Sequence, residues 1–215
     1  MRLATILLAV LLTPGAAWAE LCKRPDGEPV RIDVETKIAK TAYRHDLGKQ
    51  GIERLQNKTN GSATPGTTVG LTVAAYGYRL SMGAKAWRRS DGAWCQWISN
   101  LRVEVSIPEQ TVYVAREYPA GSCEYGAVIE HENEHVRLNE SILRNFGAQL
   151  GRPLRAAVDR MNPIVASENS SEIPRPLKTT LERLMRDLEA DRARANAAID
   201  TEQNYRATST RCRNW

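Results

Sequence analysis

The sequence predicts an α+β fold in which an antiparallel, strand-rich N-terminal half precedes a motif-bearing helix and a long C-terminal helix. Several segments before residue 117 alternate apolar and polar residues, which is typical of half-buried strands. Residues 124–149 carry apolar side chains at three- and four-residue steps, which predicts an amphipathic helix. Residues 177–208 carry a second stripe of the same kind. Together these observations predict a single domain over residues 20–215.

The first 19 residues have the features of a secretory signal peptide. Arg2 provides the positive start, residues 6–12 are apolar, and an Ala-Trp-Ala cleavage site ends at Ala19. The apolar run is too short to anchor the protein stably across a membrane. We therefore expect a secreted or periplasmic protein without stable membrane insertion.

The distribution of charge argues against a nucleic-acid ligand. The chain has 30 lysines and arginines against 25 acidic residues, a net charge of +5, and the basic residues are spread along the chain. A nucleic-acid-binding protein usually concentrates them on one face. We therefore expect no nucleic-acid partner.

The cysteines predict two disulfides, because an even count in an exported protein usually forms a disulfide framework. The four are Cys22, Cys95, Cys123 and Cys212. We favour Cys95–Cys123, which would tie the strands to the start of the motif helix. Cys22–Cys212 would then join the two ends of the domain.

Turn-forming residues divide the N-terminal half into short elements. A helix is predicted at 48–57, and strands are predicted at 30–39, 68–80, 84–89, 94–107 and 111–116. We expect the later strands to form an antiparallel meander. Residues 109–116 are the candidate edge strand, which would hold an extended peptide by main-chain hydrogen bonds.

The strongest functional signal is the pattern His-Glu-x-x-His at residues 131–135. On a helix, His131 and His135 lie one turn apart on the same face. Two imidazoles so placed can bind one Zn²⁺ at roughly 2.0–2.1 Å each. Glu132 would lie beside the open position of the metal, where its carboxylate can take a proton from water and deliver it to a leaving amine.

The motif falls on the apolar stripe of its predicted helix. The stripe consists of Val128, His131, His135, Leu138, Ile142 and Phe146. The neighbours Glu130, Asn133, Glu134, Arg137 and Asn139 are expected to be solvated. The alternative is that both histidines are hydrogen-bonded core residues or partners of local acids. That alternative is costly, because their polar atoms would need partners in the core.

A catalytic zinc needs a third protein ligand and one open position. No third histidine follows at the spacing of the extended motif, so a downstream carboxylate is expected. Glu202 is the first choice and Asp191 the second, because both interrupt the stripe of the last helix. In the alternative, they pair with nearby arginines or lie at a solvated helix end. His45 is a further candidate ligand.

Two neighbours of Glu202 have candidate supporting roles. Asp200 could accept the far N–H of a ligand histidine, as carboxylates around zinc sites commonly do. Tyr205 could donate a hydrogen bond to the oxyanion that forms during peptide hydrolysis.

Through His131, Glu132 and His135 the chain resembles the HExxH zinc peptidases, the zincins. More narrowly, it is similar to a poorly characterised group of bacterial secreted proteins predicted to be zinc-dependent proteases. In that group a cysteine-containing strand and a proline-ended strand precede the motif helix, and a later helix ends in Asp-x-Glu. The matching positions here are Cys95, Ile107-Pro108 and Asp200-Thr201-Glu202. The Thr and His-Gly that follow in the group are absent.

The resemblance implies a zincin-like fold for this domain and proteolysis as its activity, without naming a substrate. The expected partner is a peptide or protein substrate, including a component of the cell envelope such as a misfolded envelope protein or a cell-wall crosslink. We therefore expect an exported zinc-dependent peptidase. The alternative is a non-catalytic, disulfide-stapled binding or structural module of the envelope. A catalytic site would be open to an extended chain, whereas a structural site would be closed by four protein ligands.

Overall fold

The computed structural model describes residues 22, 29–60, 68–213 and 215. The predicted signal peptide at 1–19 lies outside the described residues. Over the described part the protein has a mixed α+β fold with four helices and two mixed sheets. None of these helices is long and apolar enough to cross a membrane.

The strands are β1 (Arg31–Ile38), β2 (Ala42–Arg44), β3 (Gly70–Ala74), β4 (Gly77–Arg88), β5 (Trp94–Ile107), β6 (Gln110–Val114) and β7 (Ile164–Ala166). The helices are α1 (Lys49–Asn60), α2 (Cys123–Met161), α3 (Arg175–Ile199) and α4 (Glu202–Ser209). The predicted strands at 30–39 and 94–107 and the short helix at 48–57 correspond to β1, β5 and α1. Alternation of apolar residues was therefore a sufficient signal where a strand has one buried face.

The strands form two sheets instead of one meander. The larger has the order β1-β5-β4, with β7 paired to the start of β5, and the smaller has the order β2-β6-β3. β4 and β5 form an antiparallel hairpin whose turn includes Gly92 at a φ of +88°, a conformation that favours glycine. β1 and β2, however, pair in parallel with β5 and β6. The antiparallel prediction was wrong there, because parallel partners are distant in sequence and leave no local turn signal.

Two further strand predictions need correction. The segment 68–80 is divided at residues 75 and 76, so that β3 and β4 belong to different sheets. The segment 109–116 is not an edge strand, because β6 has β2 on one side and β3 on the other. Among the described strands, β3 forms the edge of the small sheet beside α2.

Helix α2 is longer than predicted, with 39 residues. It begins after Ser122, whose hydroxyl accepts a hydrogen bond from the Tyr125 amide at 3.1 Å. Pro153 lies inside it, beyond residue 149, where the predicted helix ended. The helix continues because Leu150, Leu154 and Val158 remain buried in the main core, and this packing outweighs the loss of one backbone hydrogen bond.

The C-terminal helix is broken where the sequence predicted one helix over 177–208. Helix α3 ends at Ile199, Asp200 has a non-helical backbone, and Thr201 caps α4 by accepting a hydrogen bond from the Asn204 amide at 3.2 Å. The Asn204 side chain also donates to the Ile199 carbonyl at 2.8 Å. These local hydrogen bonds stabilise the break and place Asp200 beside α2.

The main core fixes the position of α2 between the large sheet and α3. The contributing side chains are buried aliphatic residues of β5, α2 and α3: Leu101, Val103, Val105, Ile107, Leu143, Leu150, Leu154, Leu177 and Leu181. Each is at most 1% exposed. The two histidines of α2 therefore project from a rigid support.

The disulfides are Cys22–Cys95 and Cys123–Cys212, so the predicted pairing was wrong. After α4 the chain returns along the first turns of α2, where Arg211 pairs with Glu130. This return brings Cys212 next to Cys123. The sequence contains no local signal for such a contact, because the partners are 89 positions apart.

Peptide mapping under non-reducing conditions is expected to recover Cys22 linked to Cys95 and Cys123 linked to Cys212. Replacing both Cys123 and Cys212 with serine should lower the free energy of unfolding by about 2–5 kcal/mol, because a long loop is no longer closed in the unfolded chain. Chemical denaturation measures this loss. A peptide that links Cys95 to Cys123 would contradict the observed pairing.

Candidate metal centre

Helix α2 brings the two motif histidines together in a mostly buried position. His131 is 9% exposed and His135 is 6% exposed. Their Nε2 atoms lie 3.3 Å apart and point to the same place outside the helix. Two buried imidazoles whose Nε2 atoms face each other favour a polar group that contacts both of them.

The group that contacts both Nε2 atoms is the carboxylate of Asp200, at the break between α3 and α4. Its Oδ1 lies 3.2 Å from Nε2 of His131 and 3.0 Å from Nε2 of His135. Among the described residues, these three side chains form the one group of His, Cys, Asp and Glu that could hold a metal ion.

The structure does not bring the predicted third ligands to the histidines. Glu202 has a side chain that is 79% exposed and pairs with Arg206, one turn later on α4. Asp191 is likewise exposed and pairs with Arg194. Asp200 therefore replaces Glu202 as the candidate third ligand, because the helix break turns residue 202 towards solvent and residue 200 towards α2.

The contacts of His45 are with residues other than the two motif histidines and Asp200. Its Nε2 lies 2.8 Å from the carbonyl oxygen of Tyr118 and 3.2 Å from that of Ala115. Its ring packs edge-on against Tyr125. His45 therefore has a structural role that ties its loop to the end of the small sheet.

The three donor atoms have the spacing of a metal-binding face. Bonds of roughly 2.0–2.1 Å in a tetrahedral site place neighbouring ligand atoms about 3.3 Å apart. The observed separations of 3.0, 3.2 and 3.3 Å match this value. Two imidazoles and one carboxylate also form a donor set suited to zinc. The Asp200 side chain is 39% exposed, so the face is open to solvent.

Glu132 occupies the side of α2 that faces β3. It is 5% exposed, and the Thr72 hydroxyl contacts both its carboxylate Oε2 at 2.8 Å and its backbone oxygen at 3.1 Å. Burial raises the pKa of Glu132, although His135 and the Thr72 hydrogen bond oppose the rise. The carboxyl group therefore retains a proton more readily than an exposed glutamate does.

The absence of a side chain at Gly70 makes room for Glu132. A Cβ atom at this position of β3 would lie 2.5 Å from Cγ1 of Val128 and 2.6 Å from Oε1 of Glu132. Contacts this short require β3 to move or the carboxylate to turn away. Gly70 thus allows β3 to run directly over the motif helix.

Replacing Gly70 with alanine is expected to lower the free energy of unfolding by about 1–3 kcal/mol, the usual cost of inserting a group into a packed site. Any activity that depends on the position of Glu132 should also be lower in Gly70→Ala. The matched control is Gly77→Ala on β4, where the new Cβ meets only the Ser106 hydroxyl at 3.5 Å. Equal stability of both variants in chemical denaturation would contradict the predicted clash.

Tyr205 lies next to the histidines, as a site role requires. Its ring centroid is 5.5 Å from that of His131, and its hydroxyl is hydrogen-bonded to Asp200. Partial burial and the nearby Asp200 charge both raise the pKa of Tyr205, so its hydroxyl keeps its proton and can donate. Donation to a reacting oxyanion stays a prediction.

Sequence reasoning missed the group at the far nitrogen of His135. This group is Asn196 of α3, whose Oδ1 lies 2.7 Å from Nδ1 of the ring. Asp200, expected in such a role, instead faces the Nε2 atoms. Asn139 was expected to be solvated but is 2% exposed and contacts Asn196. The available signal was spacing: Asn139 follows His135 by four residues, and Asn196 precedes Asp200 by four.

The charges of the three clustered side chains, His131, His135 and Asp200, support one another. Burial disfavours the charged form of His135, but the hydrogen bond and charge of Asp200 outweigh it and raise the pKa of His135 to about 9. Conversely, hydrogen bonds from both histidines hold the pKa of Asp200 well below its ordinary value, although partial burial opposes them. At neutral pH the cluster therefore contains a carboxylate and a protonated His135.

Fold and site together define an α+β protein with an open three-donor centre between two helices. Comparisons with protein-family models, with curated proteins and with solved structures found no match to the chain. The resemblance to the zinc peptidases therefore stays a prediction from the motif.

Proposed function

We propose that the protein is an exported zinc-dependent peptidase of zincin-like architecture, in which His131, His135 and Asp200 hold one Zn²⁺. The triangle of donor atoms at 3.0–3.3 Å carries this proposal. Glu132 supports it, because the motif places its carboxyl group one residue from the first ligand. Two disulfides accord with export to an oxidising compartment.

A zinc ion at this position would polarise a substrate carbonyl and make bound water more acidic. Glu132 accepts the proton of the attacking water on its carboxylate and passes that proton to the leaving amine. Thr72 orients the carboxylate through the 2.8 Å hydrogen bond to Oε2. The raised pKa of Glu132 suits a group that must hold a proton between two steps. Tyr205 donates its O–H to the carbonyl oxygen as negative charge develops there.

Among the described strands, β3 pairs with a neighbour on one side only, so its other edge provides a place for the substrate backbone. The Ala115 amide donates to the Val69 carbonyl, so in the antiparallel pattern the peptide groups of Gly70, Thr72 and Ala74 point away from β6. An extended peptide can pair with these groups as an added strand. β3 therefore replaces residues 109–116 as the proposed substrate-binding strand.

The rival function is a non-catalytic, disulfide-stapled binding or structural module of the envelope, in which the histidine pair is metal-free or holds a structural metal. A structural zinc is normally enclosed by four protein ligands. The described centre offers three, and the third belongs to a side chain that is 39% exposed. This opening favours catalysis over a structural role.

The proposal is tested by incubating the zinc-loaded mature protein with a library of quenched fluorescent peptides and with an unfolded protein. We expect cleavage that stops when 1,10-phenanthroline removes the metal and resumes when zinc is restored. Mass spectrometry of the products identifies the bond that was cut. Zinc-loaded protein that cleaves no member of the library and no unfolded protein would favour the rival function.

Zinc binding is expected to release about one proton per chain at pH 7.5, because His135 with a pKa of about 9 must lose its proton to become a ligand. Below that pKa the affinity for zinc should therefore rise with pH, by up to tenfold per unit. Calorimetric titrations in two buffers with different ionisation enthalpies count the protons. Binding without proton release would contradict the protonated state of His135.

A further inference from the structure

We propose that Asn196 is the positioning residue that sets the orientation and tautomer of His135 for metal binding. This inference rests on the proposed function in one respect: it takes the cluster of His131, His135 and Asp200 as the metal centre. It concerns a side chain that contacts neither the metal position nor a substrate and that acts only through His135.

The geometry at His135 assigns a different task to each ring nitrogen. Nδ1 lies 2.7 Å from Oδ1 of Asn196, and Nε2 faces the other two donor atoms. An amide oxygen only accepts, so Nδ1 must carry the hydrogen. A neutral imidazole with its hydrogen on Nδ1 has its lone pair on Nε2, where a metal ligand needs it. The bond to Asn196 is thus the same in the protonated and the metal-bound ring.

The amide of Asn196 cannot be reversed without cost. Its Nδ2 donates to Oδ1 of Asn139 at 2.9 Å and to the Arg192 carbonyl at 2.8 Å. With the amide turned over, its oxygen would face two other oxygens and its NH₂ group would face the Nδ1 hydrogen of His135. The two acceptors therefore determine that Oδ1 points at the ring.

The pair of asparagines also joins the two helices that supply the ligands. Asn139 lies one turn beyond His135 on α2, and Asn196 lies one turn before Asp200 on α3. The Tyr76 hydroxyl donates to the Asn139 backbone oxygen at 2.7 Å, which anchors this turn of α2 to the segment between the sheets. The same two asparagines therefore hold the His135 ring in its orientation and hold Asp200 at its distance from the histidines.

An amide performs this task without adding charge. Asp200 and Glu132 already contribute two carboxyl groups to the centre, and a third carboxylate against Nδ1 would make it more negative. Asparagine keeps the acceptor that orients the ring, and its NH₂ group keeps the link to Asn139. An aspartate would retain the first function and lose the second.

The test compares the affinity for Co²⁺ and Zn²⁺ of the full mature chain and three variants by competition with a chelator. Asn196→Leu should weaken binding roughly 10–100-fold, the usual effect of losing such a partner. Asn196→Asp should recover most of that loss, because its carboxylate still accepts from Nδ1. Asn133→Leu is the matched control: this asparagine of α2 accepts from the Tyr43 hydroxyl and should leave the affinity unchanged.

The absorption spectrum of the cobalt-loaded protein is a readout that a purely structural loss would not change. It should differ from wild type in Asn196→Leu and match wild type in Asn133→Leu. Histidine ¹⁵N NMR of the zinc-loaded wild type needs no variant and should show His135 with hydrogen on Nδ1 and metal on Nε2.

Two results would overturn the inference and leave the metal centre intact. One is wild-type affinity and an unchanged cobalt spectrum in Asn196→Leu, and the other is a His135 ring bound to metal through Nδ1. A wild-type chain that binds neither metal would instead overturn the proposed function, and this inference with it.

Discussion

Replacing Asp200 with alanine is expected to weaken zinc binding by more than the roughly 10–100-fold that follows from losing an outer partner of a ligand. The reason is that Asp200 supplies one of the three donor atoms, and its carboxylate is the one acidic group in the donor triangle of the described residues. Its loss also leaves His131 and His135 without the carboxylate that lies 3.0–3.2 Å from their Nε2 atoms. Competition with a chelator measures the change.

Glu202→Ala is the matched control, because it removes a carboxylate only two residues away. Glu202 is exposed and forms a surface ion pair with Arg206, an interaction worth at most about 1 kcal/mol to stability. Its removal should leave zinc affinity unchanged. Loss of zinc in Glu202→Ala together with retention in Asp200→Ala would show that the third ligand is Glu202.

Replacing Glu132 with glutamine is expected to lower peptide hydrolysis by at least about 10²–10⁴-fold, the usual contribution of a general acid–base group. Glutamine has nearly the same shape, and its amide oxygen can still accept the hydrogen bond from Thr72. The amide cannot take a proton from water. The zinc content should remain that of the wild type, since Glu132 contributes no donor atom to the triangle.

The control for this variant lies in the same motif. Glu134 is exposed on the opposite side of α2, so Glu134→Gln should keep activity within about twofold of wild type. Rates are compared at equal zinc occupancy, which separates a loss of catalysis from a loss of metal. An active Glu132→Gln protein would remove Glu132 from the proposed mechanism.

The motif helix and its inward-facing histidines could be predicted because the signal for them is local. A stripe at three- and four-residue steps places His131 and His135 on the buried face of α2, and both are buried. Alternation predicted β1 and β5 for the same reason. The long extent of α2 could not be predicted, because it depends on the packing of Leu150, Leu154 and Val158 in the core.

The third donor of the candidate site was missed because the apolar stripe was extended through a helix break. A continuous helix over 177–208 would place Glu202 on the stripe, whereas the break after Ile199 moves Asp200 to that side. The sequence does contain a signal for the break. Thr201 is a preferred N-cap residue, and Glu202 in the first turn favours a helix start there.

Features that join distant parts of the chain could not be derived from periodicity. The parallel pairing of β1 with β5 and the bond between Cys123 and Cys212 depend on contacts across about 70 or more residues. The hydrogen bond from His135 to Asn196 is of the same kind, since its partners are 61 positions apart. Such contacts are set by how the helices and sheets pack.

The metal content of the purified mature protein tests the central claim most directly. Elemental analysis after reconstitution should find about one zinc per chain in the wild type and none in His131→Ala, with both proteins folded by circular dichroism. That result would establish the centre formed by His131, His135 and Asp200. A folded wild-type protein that retains no zinc after reconstitution would contradict the claim and favour a metal-free module of the envelope.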